Sequence, residues 1–106
     1  MKLAPVLKPP YYAVIFTSLL TDKTDDYEDM ATKMVELCSE MPGFLGMDSA
    51  RSEVGITVCY WKDLDSIENW KKQGEHLFAQ KIGKEKWYKS FTSRVAKVEK
   101  TYGFDQ

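Results

Sequence analysis

GITVCYWKDLDSIENWKKQGEHLFAQKIG, residues 55–83, is the stretch whose reading decides the fold. From Ile56 to Trp61 both alternating sets of positions are apolar or β-branched, which predicts a strand covered on both sides. Lys62-Asp63 turns the chain. Asp63 is a good N-cap, and Leu64, Ile67, Trp70, Gly74, Leu77 and Phe78 then recur at helical steps, predicting a helix that runs to about Ile82 and stops at Gly83. A chain this short lays its own helices over one side of such a strand. The other side is left for a partner subunit, a ligand, or both.

Working outward, Tyr11–Ser18 is a second strand apolar on both sets, Tyr12, Val14, Phe16 and Tyr11, Ala13, Ile15. From Asp25 the period changes. Tyr27, Met30, Met34, Leu37, Cys38 and Met41 mark the apolar face of a helix capped by Thr24 or Asp25 and ended by Pro42-Gly43. Phe44–Ser52 and the third strand form a hairpin through Glu53-Val54-Gly55. Lys84–Lys89 forms a further turn, and Phe91 to about Tyr102 is a last, less buried strand. The order β-α-β-β-α-β predicts an α+β, ferredoxin-like fold, an antiparallel sheet with both helices on one face. The opposite face is then too apolar for a soluble monomer, which predicts a homodimer through the open sheet face.

The chain of 106 residues reads as one domain, 1–106, with 1–10 an extended lead-in and 11–102 the core. A net charge of −1 and the lack of a Lys/Arg run exclude nucleic acid as a partner. Cys38 and Cys59 read as free thiols, with no Cys/His cluster for a metal. MKLAPVLKPP is too short and proline-rich for a secretory signal, and no apolar run spans a bilayer, so the expectation is a cytoplasmic protein without membrane contact. Nucleotide-binding glycine motifs, the nucleophile elbow and H-E-x-x-H are all lacking. Asp25-Asp26, Glu28-Asp29 and Asp63-Asp65 belong to helix first turns, where the helix dipole accounts for them.

PGFLGM (42–47), the aromatic-ended GITVCYW, the acidic-capped helix whose Trp70 follows Trp61 by nine residues, and KWYKSFTSRVAKVEKTY (86–102) together resemble the antibiotic biosynthesis monooxygenase domain superfamily over Tyr11–Tyr102. The resemblance implies a dimeric α+β barrel with a pocket in each subunit between sheet and helices. Members include cofactor-free oxygenases of polycyclic aromatic phenols and haem-degrading oxygenases. In the haem branch a helix tryptophan ruffles the macrocycle, a later histidine ligates iron and a first-strand asparagine lies distal. Trp70 matches the tryptophan. The ligand position falls on Gln80, with His76 one helical turn early, and the asparagine position on Thr17 or Ser18.

The cofactor-free branch asks for a deprotonated phenol, donors or cations to hold its anion, and an apolar pocket for ring and O2. The expected site is therefore His76 as base with Trp70 and Arg51 beside it, and Tyr60, Trp61, Trp87, Tyr88 and Phe16 against the substrate; Arg94 is a second cation. Each has a bland reading too: tryptophans as core, arginines as strand ends, His76 as a surface group. The leading expectation is a cofactor-independent monooxygenase of an aromatic, polycyclic or quinol-like substrate, with no metal. The alternatives are a haem-binding or haem-degrading enzyme and a non-catalytic dimeric binding or stress-related module.

Overall fold

The computed structural model describes residues 2–73 and 81–106. Strands β1 (Tyr11–Leu20), β2 (Phe44–Arg51), β3 (Gly55–Trp61) and β4 (Tyr88–Val98) form one sheet in the order β2-β3-β1-β4, every pairing antiparallel. Helix α1 (Tyr27–Glu40) connects β1 to β2, and α2 (Leu64–Lys72) follows β3. This is the ferredoxin-like α+β arrangement that the element order predicts. No helix among the described residues is long and apolar enough to cross a membrane.

The register decides which face each residue serves. Tyr12 pairs with Trp61, Val14 with Cys59 and Phe16 with Thr57, so these six share a face. Cys38 from α1 and Ile67 from α2 are buried together against Trp61, with Tyr12, Val14, Met47, Cys59 and Trp70 around them, so both helices cover that same face. Tyr11, Ala13, Ile15, Val58 and Tyr60 point the other way. At one end of that open face the Ala4 N–H donates to Asp48 Oδ1 (2.7 Å) and the Tyr60 hydroxyl to Asp48 Oδ2 (3.1 Å), which draws the N-terminal segment to β2.

Element ends depart from expectation where local chemistry outweighs periodicity. The N-cap of α1 is neither Thr24 nor Asp25 but Asp26, which sits in the left-handed region (φ 67°), a conformation aspartate tolerates better than most residues. The Tyr27 N–H closes the preceding turn on the Thr24 carbonyl (3.1 Å). Helix α2 stops at Lys72, ten residues before the expected Ile82, because Gln73 turns to extended backbone (φ −62°, ψ 127°) immediately ahead of Gly74. The expected turn at Lys84–Lys89 is a π-helical turn, Gly83–Trp87, and β4 starts at Tyr88 and ends at Val98, not at Phe91 and Tyr102. At the α1–β2 turn Gly43 has φ 86°, and a Cβ there would overlap the Ser66 side chain at the start of α2.

Candidate functional site

A cavity of about 340 Å³ lies between the covered sheet face and the helices. Its sheet wall is Val14, Phe16, Thr57 and Cys59, all of one register class. Its α1 wall is Tyr27, Met30, Met34 and Cys38, at the three- and four-residue steps that put side chains on one helix face. Ile67 and Trp70 come from α2, and Trp87 and Tyr88 from the join of the π-helical turn with β4. The methionines line the space and leave it open. The volume falls at the low end of ligand sites, about 300–1,000 Å³.

Polar groups gather at the Arg51 end. Arg51 closes β2, its guanidinium lies against Gly55, and a Cβ at Gly55 would overlap that group. The guanidinium donates to the Ser18 hydroxyl and its Cζ lies 5.9 Å from the Tyr27 ring centroid. Trp87 holds Tyr27 from behind, edge to face at 5.4 Å, and its own indole N–H donates to the Asp25 carbonyl (3.2 Å). Tyr27 and Tyr88 meet edge to face at 5.9 Å. Burial first, then the neighbouring Tyr27 phenol, pushes Tyr88 well above the ordinary tyrosine range, with Arg51 acting the other way, so Tyr88 is a neutral phenol at physiological pH. Phe16 packs on Tyr88 at 5.4 Å and on Phe91 at 5.3 Å. The result is a largely apolar chamber with a guanidinium and two phenols at one end and Lys71 and Lys84 also on its lining, suited to a flat ligand that carries negative charge.

Of the residues expected from sequence, Arg51, Trp70, Trp87, Tyr88 and Phe16 line this cavity. Trp61 does not. It has no exposed surface and stacks beneath Trp70 at 6.4 Å, so it is floor and core. Tyr60 lies on the opposite sheet face, bonded to Asp48 and edge to face with Tyr11, because it alternates with Cys59 and Trp61. Arg94 pairs with Ile15 and so belongs to the open face as well. His76 lies outside the described residues, as do Leu77, Phe78 and Gln80. Tyr27, Ser18, Cys38 and Cys59 were not among the expected site residues. Tyr27 begins the apolar stripe of α1, which is the one signal that points to it.

The haem reading finds one fitting residue. Trp70 walls the cavity, yet Thr17 faces the open side and Ser18, the other candidate for the distal position, is taken by Arg51. The one histidine of the chain, His76, lies outside the described residues, so among the described residues Trp70 is the one that matches the haem pattern.

Residues 10–82 match the sequence profile of the family described as antibiotic biosynthesis monooxygenase. An uncharacterized protein of Bacillus subtilis (strain 168), YqjZ, is 43% identical over 101 residues, covering 93% of this chain and 89% of that one. Among solved structures, SnoaB, a cofactor-independent oxygenase from Streptomyces nogalater, superposes with a TM-score of 0.70 at 12% identity, covering 92% of this chain and 100% of that one. A conserved protein from Methanosarcina mazei Go1 gives 0.73 at 12% identity over 82% and 91% of the two chains. At such identities the two structures speak for the fold alone.

Proposed function

The chain belongs to the antibiotic biosynthesis monooxygenase family, and on that premise we propose that it is a cofactor-independent monooxygenase of a small polycyclic phenol or quinol-like aromatic. The observation that carries this reading is the Arg51 guanidinium, held by Ser18, at one end of a largely apolar cavity of about 340 Å³. A phenol placed between Trp70 and Phe16 with its oxygen toward Arg51 ionises more readily, since a fixed cation in a poorly solvated site favours the anion. The electron-rich phenolate then transfers electrons to O2 held in the same apolar space. The balance is phenol plus O2 giving quinone plus water: one oxygen atom ends on the ring, the other leaves as water, and all four electrons come from the substrate. His76 is the candidate for accepting the phenolic proton, its imidazole being the side chain whose unperturbed pKa lies nearest neutrality. Ser18 and Gly55 hold Arg51 in place. That Met30 and Met34 leave the chamber open favours an enzyme over a module with a filled core. The open sheet face is read as the seat of a second copy of the chain.

Oxygen uptake with a panel of naphthols, anthracenols and hydroquinones tests the reading. Uptake above the protein-free rate is expected for at least one of them. Arg51→Met is expected to lower kcat by about a hundredfold with far-UV circular dichroism unchanged, and Arg51→Lys to recover part of it. His76→Ala is expected to remove the acidic limb of the kcat/KM profile. No uptake with any of them, or an Arg51→Met variant as active as wild type, overturns the assignment.

A further inference from the structure

The cavity wall holds a pair of nucleophilic groups that phenol oxidation does not use. Cys38 reaches in from α1 and Cys59 from β3; both are free thiols and both line the chamber. Cys38 is 2% exposed, whereas Cys59 is partly open to the cavity. Cys59 packs against the buried cluster that holds Cys38, so the thiol of a helix and that of the strand beneath it are neighbours in space.

We propose that Cys38 and Cys59 form a redox-active dithiol in the cavity wall, which small hydroperoxides convert to an intramolecular disulfide. Exposure assigns the roles. Cys59 is partly open to the cavity and Cys38 is buried behind it; in keeping with this, the neighbouring Cys38 holds the Cys59 thiol below the ordinary cysteine range against the opposing effect of burial, while Cys38 itself is pushed far up. Cys59 is therefore the attacking sulfur, and Cys38 the resolving one. The Cys59 thiolate attacks one peroxide oxygen and the O–O bond breaks, leaving a sulfenic acid on Cys59 and releasing hydroxide, or the corresponding alkoxide, which takes up the thiol proton. The Cys38 sulfur then attacks the Cys59 sulfur; the S–S bond forms, the S–O bond breaks and water leaves. Two thiols lose two electrons in all, and one peroxide gains them. The product ties α1 to β3 across the chamber. The proposal does not depend on oxygenation of a phenol, because any hydroperoxide small enough to enter the cavity suffices.

The test uses the full chain, reduced and freed of reductant, with one equivalent of hydrogen peroxide, then alkylation and trypsin digestion under non-reducing conditions. Peptide 34–51 is expected joined to peptide 52–62, the thiol titre is expected to fall from two to none, and dithiothreitol to restore both. In Cys38→Ala, dimedone is expected to label Cys59; in Cys59→Ala, Cys38 is expected to stay unlabelled. Should either variant fail to fold, the wild-type cross-link alone decides. Two intact thiols after peroxide, cross-links only between chains, or dimedone on Cys38 in Cys59→Ala overturns the proposal.

Discussion

Trp61 shows what a single position does here and how far its role can be read in advance. Its indole has no exposed surface, meets Phe44 edge to face at 5.6 Å and stacks on Trp70 at 6.4 Å. Truncation to alanine removes the floor under Trp70 and is expected to cost about 3–5 kcal/mol. Phenylalanine keeps a ring in place. It also removes a buried indole N–H that has no hydrogen-bond partner among the described residues, so no hydrogen bond is lost with it. Trp61→Phe is therefore expected to cost less than half of what Trp61→Ala costs, by urea unfolding; equal losses would contradict this account. That Trp61 is buried was legible in the sequence. Which way it points was not, because Ile56, Val58 and Tyr60 are as apolar as Thr57, Cys59 and Trp61, and an alternation without polar contrast carries no facing signal. The same ambiguity put Tyr60 in the expected pocket. Arg51, Trp70, Trp87, Tyr88 and Phe16 do line the cavity, although their sequence positions alone equally allowed core or strand-end roles.

The join of β3 to α2 shows the corresponding limit for elements. Its start was legible: Asp63 is the N-cap, with its Oδ1 accepting from the Ser66 N–H at 2.8 Å and from the Ser66 hydroxyl at 2.6 Å. The apolar steps at Gly74, Leu77 and Phe78 kept the helical pattern running past Gln73, since spacing records which face is apolar and says nothing about whether the backbone turns between two segments. The Ser66 hydrogen bonds hold the Asp63 carboxyl below its ordinary value of 3.8. A depressed folded pKa means that the cap's contribution is present above the unfolded value and is lost as pH falls through the folded one. Asp63→Ala is accordingly expected to lower Tm by a few degrees at pH 7, with Asp63→Asn, which keeps an acceptor, lowering it less. As pH falls below 3.8 and through the folded value, the gap between wild type and Asp63→Asn is expected to close. A gap between them that persists unchanged into acid would show that the charge is not what the cap uses.

At the scale of the whole molecule, the sheet has one face under helices and one largely without them. Tyr11 and Ala13 are buried on that open face, but Ile56 remains 46% exposed. Beside the face the two ends of the chain run close together, since a Cβ at Gly103 would overlap Val6. These ends carry Leu3 at 85%, Tyr102 at 96% and Phe104 at 90% exposure. Large apolar side chains so fully in water, adjoining an apolar sheet, are costly for a monomer, at about 1.5–3 kcal/mol for each one that a contact fully covers. A second copy related by a two-fold axis would cover sheet and chain ends together, and a contact of about 800 Å² per partner takes roughly a tenth of the 7834 Å² surface. Sedimentation equilibrium at micromolar concentration is therefore expected to return a dimer. Ile56→Asp places a charge on the open face without touching the helix-covered core, and is expected to weaken dimerisation at least about tenfold with far-UV circular dichroism unchanged. Removal of residues 102–106 is expected to act in the same direction, because it deletes Tyr102 and Phe104 and leaves β4, which ends at Val98, intact. A wild-type monomer, or an Ile56→Asp variant that associates as tightly as wild type, would place the contact elsewhere.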